Sequence, residues 1–177
     1  MVRVVVAAAF VVLFAFPGMA QDDFPRIQSS MGYANLGFPS GPNGEFERHS
    51  GFANQTSINL TRTIGLDNYM GIYGLGQGVT LISEVIGGKI MWRGPRVVPY
   101  AVAGIGIGYF TAQVQGYAAS RSVFSTRYGI GADIPINDTL AWKVEASRLG
   151  LHIQTSPNSS WTSSWNFSTG IVFNISQ

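Results

Sequence analysis

"SWTSSWNFSTGIVFNIS", residues 160–176, alternates in character almost from end to end. Every second residue from Trp161 reads Trp161, Ser163, Trp165, Phe167, Thr169, Ile171, Phe173, Ile175. The interleaved set is Thr162, Ser164, Asn166, Ser168, Gly170, Val172, Asn174, Ser176. Successive side chains of a strand point to opposite faces, so a period of two held over this length specifies a strand and excludes a helix. One face is aromatic and aliphatic, the other small and polar. The fold turns on which face meets the surroundings, and what those surroundings are.

Working outward, the chain opens with "MVRVVVAAAFVVLFAFPGMAQ": one positive residue, Arg3, an apolar run from Val4 to Phe16, then Pro17 and small residues. This pattern reads as a secretory signal peptide over residues 1–20, cleaved after Ala20, with one domain over 21–177. A membrane anchor helix would need about 20 apolar residues, more than this run supplies. The formal net charge is only +2, and Arg3 contributes to it. Basic residues are not clustered, so the electrostatic footprint of a nucleic-acid-binding protein is missing. An exported chain with no Cys has no disulfide framework, and its stability must come from a core or a closed sheet.

Charged residues make up 11% of the chain, against about 25% in a typical soluble domain. That is too few to coat a water-facing surface. No second apolar run of spanning length follows the signal, so the membrane solution left is a closed β-barrel. Eight strand-like segments fall between turn signals, at about 26–38, 50–63, 66–74, 79–93, 97–111, 122–134, 139–153 and 160–176. "TIGL" (63–66), "RGPRV" (93–97) and "PINDT" (135–139) are tight connections. "PSGPNGEFERH" (39–49), "AQVQGYAASR" (112–121) and "TSPNSS" (155–160) are longer, with "GLGQG" (74–78) the shortest of that set. Short turns at one end and longer loops at the other characterise outer-membrane barrels. The expectation is therefore an all-β, eight-stranded antiparallel up-and-down transmembrane β-barrel, monomeric, with both termini on the short-turn side.

The alternation also says which face looks out. The polar faces carry Ser, Thr, Asn, Gln and Gly, which suit the narrow interior of an eight-stranded barrel. Large rings fit the outside, against lipid. Trp165 and Phe173 are eight residues apart, roughly 26 Å along a strand and about 20 Å of vertical rise at the usual tilt, close to the membrane's apolar band. Trp92, Tyr100 and Trp142 lie beside tight turns at the level of Phe173, while Tyr109, Phe124, Trp161 and Trp165 lie toward the long loops. These two belts predict an aromatic girdle that includes Trp92, Tyr100, Trp142, Trp161, Trp165 and Phe173. In 139–153 the apolar set passes from Leu140, Trp142, Val144 and Ala146 to Leu149, Leu151 and Ile153, which predicts a β-bulge near Arg148.

The signal peptide, "SINLTRTIGLD" (57–67), "GGKIMWRGPRVVPYAVAGIGIGY" (87–109) and "NFSTGIVFNIS" (166–176) carry a family likeness. The chain resembles the small OmpA-like and OmpX-like barrels of the outer-membrane β-barrel domain family of Gram-negative bacteria. The resemblance implies an outer-membrane location and insertion by the barrel assembly machinery. It also implies contact with outer-membrane lipid and lipopolysaccharide, and loops that meet a host or cell-surface ligand. It departs from the pattern at the end, where such barrels usually close on an aromatic residue and this chain runs past Phe173 to Gln177. No second domain is read after the last strand.

Chemistry-bearing motifs are sparse. "GIGIGYF" (104–110) superficially looks like a nucleotide loop, but it lies within a strand-like segment, where Gly104, Gly106 and Gly108 share one face and leave room inside the barrel. His49 and His152 are the two histidines, too few for a zinc site without Cys. His152, Ser156 and Glu84 could be imagined as a hydrolase set, yet their spacing does not enforce it. Metal, cofactor and catalytic residues are expected to be none. Lys89, Arg127, Asp133, Lys143 and Glu145 project from the polar faces, with Asp67 a further candidate. A turn centred on Asp138 sets Asp133 opposite Lys143, and a charge away from water requires a partner. These charges predict a lumenal ion-pair network that plugs the barrel. The expected role is non-enzymatic, structural or interacting through surface loops. The alternatives are a narrow pore for ions or small solutes and, third, an envelope lipid-modifying enzyme.

Overall fold

Eight antiparallel strands follow one another in the computed structural model, which describes residues 24–39, 46–75, 79–114, 117–155 and 158–176. They are β1 (Ile27–Pro39), β2 (Phe46–Asn59), β3 (Ile64–Tyr73), β4 (Val79–Met91), β5 (Val98–Val114), β6 (Tyr117–Pro135), β7 (Leu140–Thr155) and β8 (Asn158–Ser176). Each pairs with the next, and β8 closes on β1, so the sheet has no free edge. No α-helix occurs among the described residues. The signal-peptide reading falls on residues outside them.

The short turns are built by side chains that replace ladder bonds. At 60–63 the Leu60 and Thr61 N–H groups donate to the Ile64 carbonyl, while the Thr61 hydroxyl oxygen accepts from the N–H groups of Thr63 and Ile64. At 136–139 the Asn137 side-chain oxygen does the same for Thr139 and Leu140. Ser, Thr and Asn side chains favour such local bonds, which is why they end strands. The first turn thus sits three residues earlier than the "TIGL" reading placed it.

The long connections are largely strand. The β5–β6 ladder continues to Val114↔Tyr117, and β7–β8 to Thr155↔Asn158. Pairing of β6 to β7 stops at Phe124↔His152, and pairing of β1 to β8 stops at Leu36↔Asn166. The outer parts of β5–β6 and β7–β8 therefore stand as two ribbons beyond those pairings. The tips, at 40–45, 115–116 and 156–157, lie outside the described residues.

Stagger follows from the register. Stepping across the ladders from Leu36 through Asn166, Ser147, Gly129, Val102, Lys89, Gly65 and Asn59 returns to β1 at Arg26, ten residues before Leu36. For eight strands that shear corresponds to a tilt of about 40° and an interior only wide enough for side chains.

The bulge expected near Arg148 is absent. The ladders run unbroken through Tyr128↔Arg148 and Arg148↔Trp165, and Leu149 and Leu151 lie inside with Lys143, Glu145 and Ser147. The phase of the strand never changes. What changes is the interior beside β7, where Lys143, Glu145 and Ser147 lie toward the short turns and Leu149 and Leu151 toward the long hairpins.

Candidate functional site in the barrel lumen

Inward residues form three layers, each set by strand parity. Toward the short turns, three cations (Lys89, Arg127, Lys143) and three carboxylates (Asp67, Asp133, Glu145) are all buried. Lys89 Nζ lies 3.3 Å from Asp133 Oδ2, Arg127 Nη1 lies 3.3 Å from Asp67 Oδ2, and Lys143 Nζ lies 3.6 Å from Glu145 Oε2. Arg127 Nη2 also donates to Glu145 Oε1. Neutral donors add to two of the carboxylates, Asp67 and Glu145. Gln55 Nε2 and the Ser57 hydroxyl each donate to Asp67 Oδ1 at 2.8 Å, and the Tyr100 hydroxyl donates to Glu145 Oε2 at 3.0 Å. The six charges cancel, and each sits where its partner does, which a water-poor interior requires.

The expected partnership of Asp133 with Lys143 needs correction. The two are directly opposite in the β6–β7 ladder, but Lys143 leans toward Glu145 on its own strand and Asp133 binds Lys89 on β4. In so narrow a barrel side chains cross the lumen, so a charge meets partners on strands it does not pair with.

Tyr100 also needs correction. It is not in the girdle but inside, 2% exposed, with Lys89 Nζ 4.2 Å from its ring centre. It stands opposite Gly131, which stands opposite Glu145, and its ring crosses that glycine to reach the carboxylate. A Cβ at Gly131 would collide with the ring. The sequence held the signal, since Tyr100 shares parity with Gly104, Gly106 and Gly108. The remaining girdle candidates, Trp92, Trp142, Trp161, Trp165 and Phe173, all lie on the outer surface.

Above the ion pairs lies a layer that sequence reading missed. The hydroxyls of Tyr69 and Tyr73 hydrogen-bond each other, Tyr73 donates to Asn166 Oδ1 at 3.0 Å, and Asn166 Nδ2 donates to Tyr69 at 3.0 Å and to Ser147 at 3.2 Å. The Arg127 guanidinium sits 3.9 Å from the Tyr69 ring centre, joining this layer to the one below. Their signal was the clean alternation of β3, where Gly65, Asp67, Tyr69, Gly71 and Tyr73 share the inner face.

The third layer is apolar. Leu36, Phe38, Leu81, Val123, Leu149 and Leu151 are buried together toward the hairpin end, and His49 stacks on Phe38 at 4.1 Å. Free space is small. A cavity bordered by Lys89, Asp133 and Lys143 measures about 10 Å³, room for roughly one water.

The imagined hydrolase set is not assembled. Glu84 lies on the outer face of β4, His152 on β7 against Trp161, and Ser156 is outside the described residues. No cluster of metal-ligating side chains occurs among the described residues.

A family model described as "Outer membrane protein beta-barrel domain" matches residues 6–173. A search of curated proteins gives no match to the sequence. Among solved structures, neisserial surface protein A superposes with a TM-score of 0.69 at 10% identity, over 84% of this chain and 97% of that one. The N-terminal β-barrel domain of Pseudomonas aeruginosa OprF gives 0.62 at 13% identity, over 84% and 96%. Ail, the attachment invasion locus protein of Yersinia pestis, gives 0.53 at 17% identity, over 83% and 97%. At these identities the likeness is one of fold.

Proposed function

This chain belongs to the outer membrane protein β-barrel domain family, and we propose that it is a closed, non-enzymatic barrel whose projecting hairpins make contacts at the cell surface. One observation carries the reading: among the described residues side chains occupy the lumen in successive layers, and the cavity beside Lys89, Asp133 and Lys143 measures only about 10 Å³. Ion pairs that cancel, a hydrogen-bonded Tyr69–Tyr73–Asn166 cluster and an apolar layer follow one another along the axis. An ion crossing such a barrel would have to shed its hydration against buried leucines, which low-dielectric surroundings make costly. That favours a support over a pore.

Contacts would then be made by the β5–β6 and β7–β8 ribbons, where Ser120, Arg121 and Trp161 stand exposed. Two structural neighbours are by name a surface protein and an attachment invasion locus protein, the latter also solved with the heparin analogue sucrose octasulfate. The proposal gives this chain a role of that kind, as a monomer with the hairpins outside and both termini in the periplasm.

Two measurements test it. In planar bilayers the protein should show no discrete unitary conductance, and a steady conductance would replace the support reading with the pore. The chain has no Cys, so single cysteines report orientation cleanly. Ser120→Cys on the β5–β6 ribbon should react with an impermeant maleimide on intact cells, and Thr139→Cys in a short turn only after lysis. The reverse pattern would overturn the orientation.

A further inference from the structure

The segment that leads into β1 crosses the short-turn end of the barrel. Pro25 and Arg26 are tied to the end of β2. The Asn59 side chain, buried in the lumen, donates to the Pro25 carbonyl at 2.6 Å, and the Asn59 N–H donates to the Arg26 carbonyl at 2.8 Å. Phe24 then reaches the far side. Its ring centre lies 5.2 Å from the guanidinium of Arg93, which belongs to the turn after β4, and β4 is not a neighbour of β1 in the sheet. Arg26 approaches the same ring at 5.5 Å.

Arg93 is itself fixed beneath the lumen. Its Nε donates to the Arg62 carbonyl at 3.1 Å, and its Nη2 donates at 3.0 Å to the sulfur of Met91, a side chain buried with Tyr100 and Val102. These bonds join the β2–β3 and β4–β5 turns and bring Arg62 and Arg93 close enough for their charges to repel. Among the described residues no carboxylate lies within ion-pairing distance of Arg62, Arg93 or Arg96. Asp133 attracts Arg93 from inside but is bound to Lys89, and Asp138 lies in a different turn. Two like charges, one of them half-buried, favour an anion between them.

The two residues before Phe24, outside the described ones, are Asp22 and Asp23. An extended chain advances about 3.3–3.6 Å per residue, so both carboxylates start within two residues of a ring that already meets Arg93. We propose that Asp22 and Asp23 dock on Arg62 and Arg93, which makes the start of the domain a strap across the short-turn end of the lumen. Two carboxylates match two guanidiniums, and chain connectivity delivers them to the right place. The strap fastens β1, the strand on which β8 closes the sheet, to the β2–β3 and β4–β5 turns. It also covers the end of the lumen opposite the apolar layer. The contact is independent of which end of the barrel faces outward.

The chain has no Cys, so a nitroxide on Gln21→Cys reports strap mobility by electron paramagnetic resonance of the folded protein in neutral detergent. The label should be largely immobilised in the parent at low salt. R62E should raise the ratio of mobile to immobile label about two- to fivefold, the range for an exposed ion pair, and D22N/D23N should act alike. At least one of D22R/R62E and D23R/R62E reverses a matched pair and should return the ratio most of the way to the parent's, which a role of Arg62 in turn structure alone would not do. In about 1 M NaCl, where the screening length is roughly 3 Å, the parent should behave like D22N/D23N. Gel migration before and after boiling checks that each variant is folded, and R62Q replaces R62E if the latter is not. A ratio unchanged across the folded variants would overturn the strap. Mobility gained in R62E and recovered in neither charge reversal would overturn its pairing with the acids.

Discussion

Arg127 is the residue on which the interior depends most. It holds Asp67 and Glu145 apart and lies against Tyr69, so its removal leaves two buried carboxylates with one cation fewer between them. Arg127→Met should destabilise the barrel in urea titration by about 3–5 kcal/mol, the cost of breaking a buried pair from one side. Adding Glu145→Gln should recover part of that, with a coupling of about 0.5–3 kcal/mol over the double-mutant cycle. A coupling near zero, as for exposed pairs worth about 0–1 kcal/mol, would mean a wet lumen and count against the closed barrel. Gly131 matters through what it lacks. Gly131→Ala should cost about 1–3 kcal/mol, because its Cβ would displace the Tyr100 ring from Glu145. The same unfolding curves measure it. Parity alone put Tyr100 inside, whereas its aromatic character argued for a belt. The belt reading failed because a flat ring over a glycine fills a narrow lumen as well as it anchors in lipid.

A strand carries more information than any one of its residues. In β6, Phe124, Tyr128 and Ile130 face out, while Ser125, Arg127 and Asp133 face in, as alternation alone implied. Ile130 is 69% exposed on that outer face. Ile130→Arg should therefore cost about 2–4 kcal/mol of folding in lipid vesicles, the penalty for a cation on the mid-height lipid face. Ser168→Arg, directed inward, should impair folding by crowding in detergent as well. If Ile130→Arg is silent in both settings, the outer face does not meet lipid. Strand centres were legible because the pleat imposes period two on every residue. Ends were less so, since "AQVQGYAASR" and "TSPNSS" are rich in Gly, Ser and Pro yet continue as paired ribbons. Pairing of both strands beyond the barrel outweighed weak local propensity. The apparent slip in β7 was not a slip in geometry, because hydrophobicity reports surroundings and the surroundings change with height.

At the scale of the molecule, closure accounts for stability in the absence of disulfides. Every strand has two neighbours, so no row of backbone N–H and C=O groups faces hydrocarbon. Such a barrel should resist detergent without heat. Unboiled protein is expected to migrate faster than boiled protein on denaturing gels and to fractionate with the outer membrane. Recovery as a stable protein in water without detergent would contradict a lipid-facing wall.

The sequence by itself determined the strand count, the antiparallel order and the direction of most side chains, because each follows from a local period and from turn chemistry. Too few charges for a water-facing surface then selected lipid as the outer medium. It also identified Lys89, Arg127, Asp133, Lys143 and Glu145 as inward charges. Apart from Lys143 and Glu145, neighbours on one face of β7, which of them pair was decided only by closure of the sheet. A stagger of ten residues brings β3, β4, β6 and β7 side chains to common heights across a lumen one or two side chains wide. Contacts across such a space depend on the geometry of all eight strands together, and no local pattern in one strand encodes them.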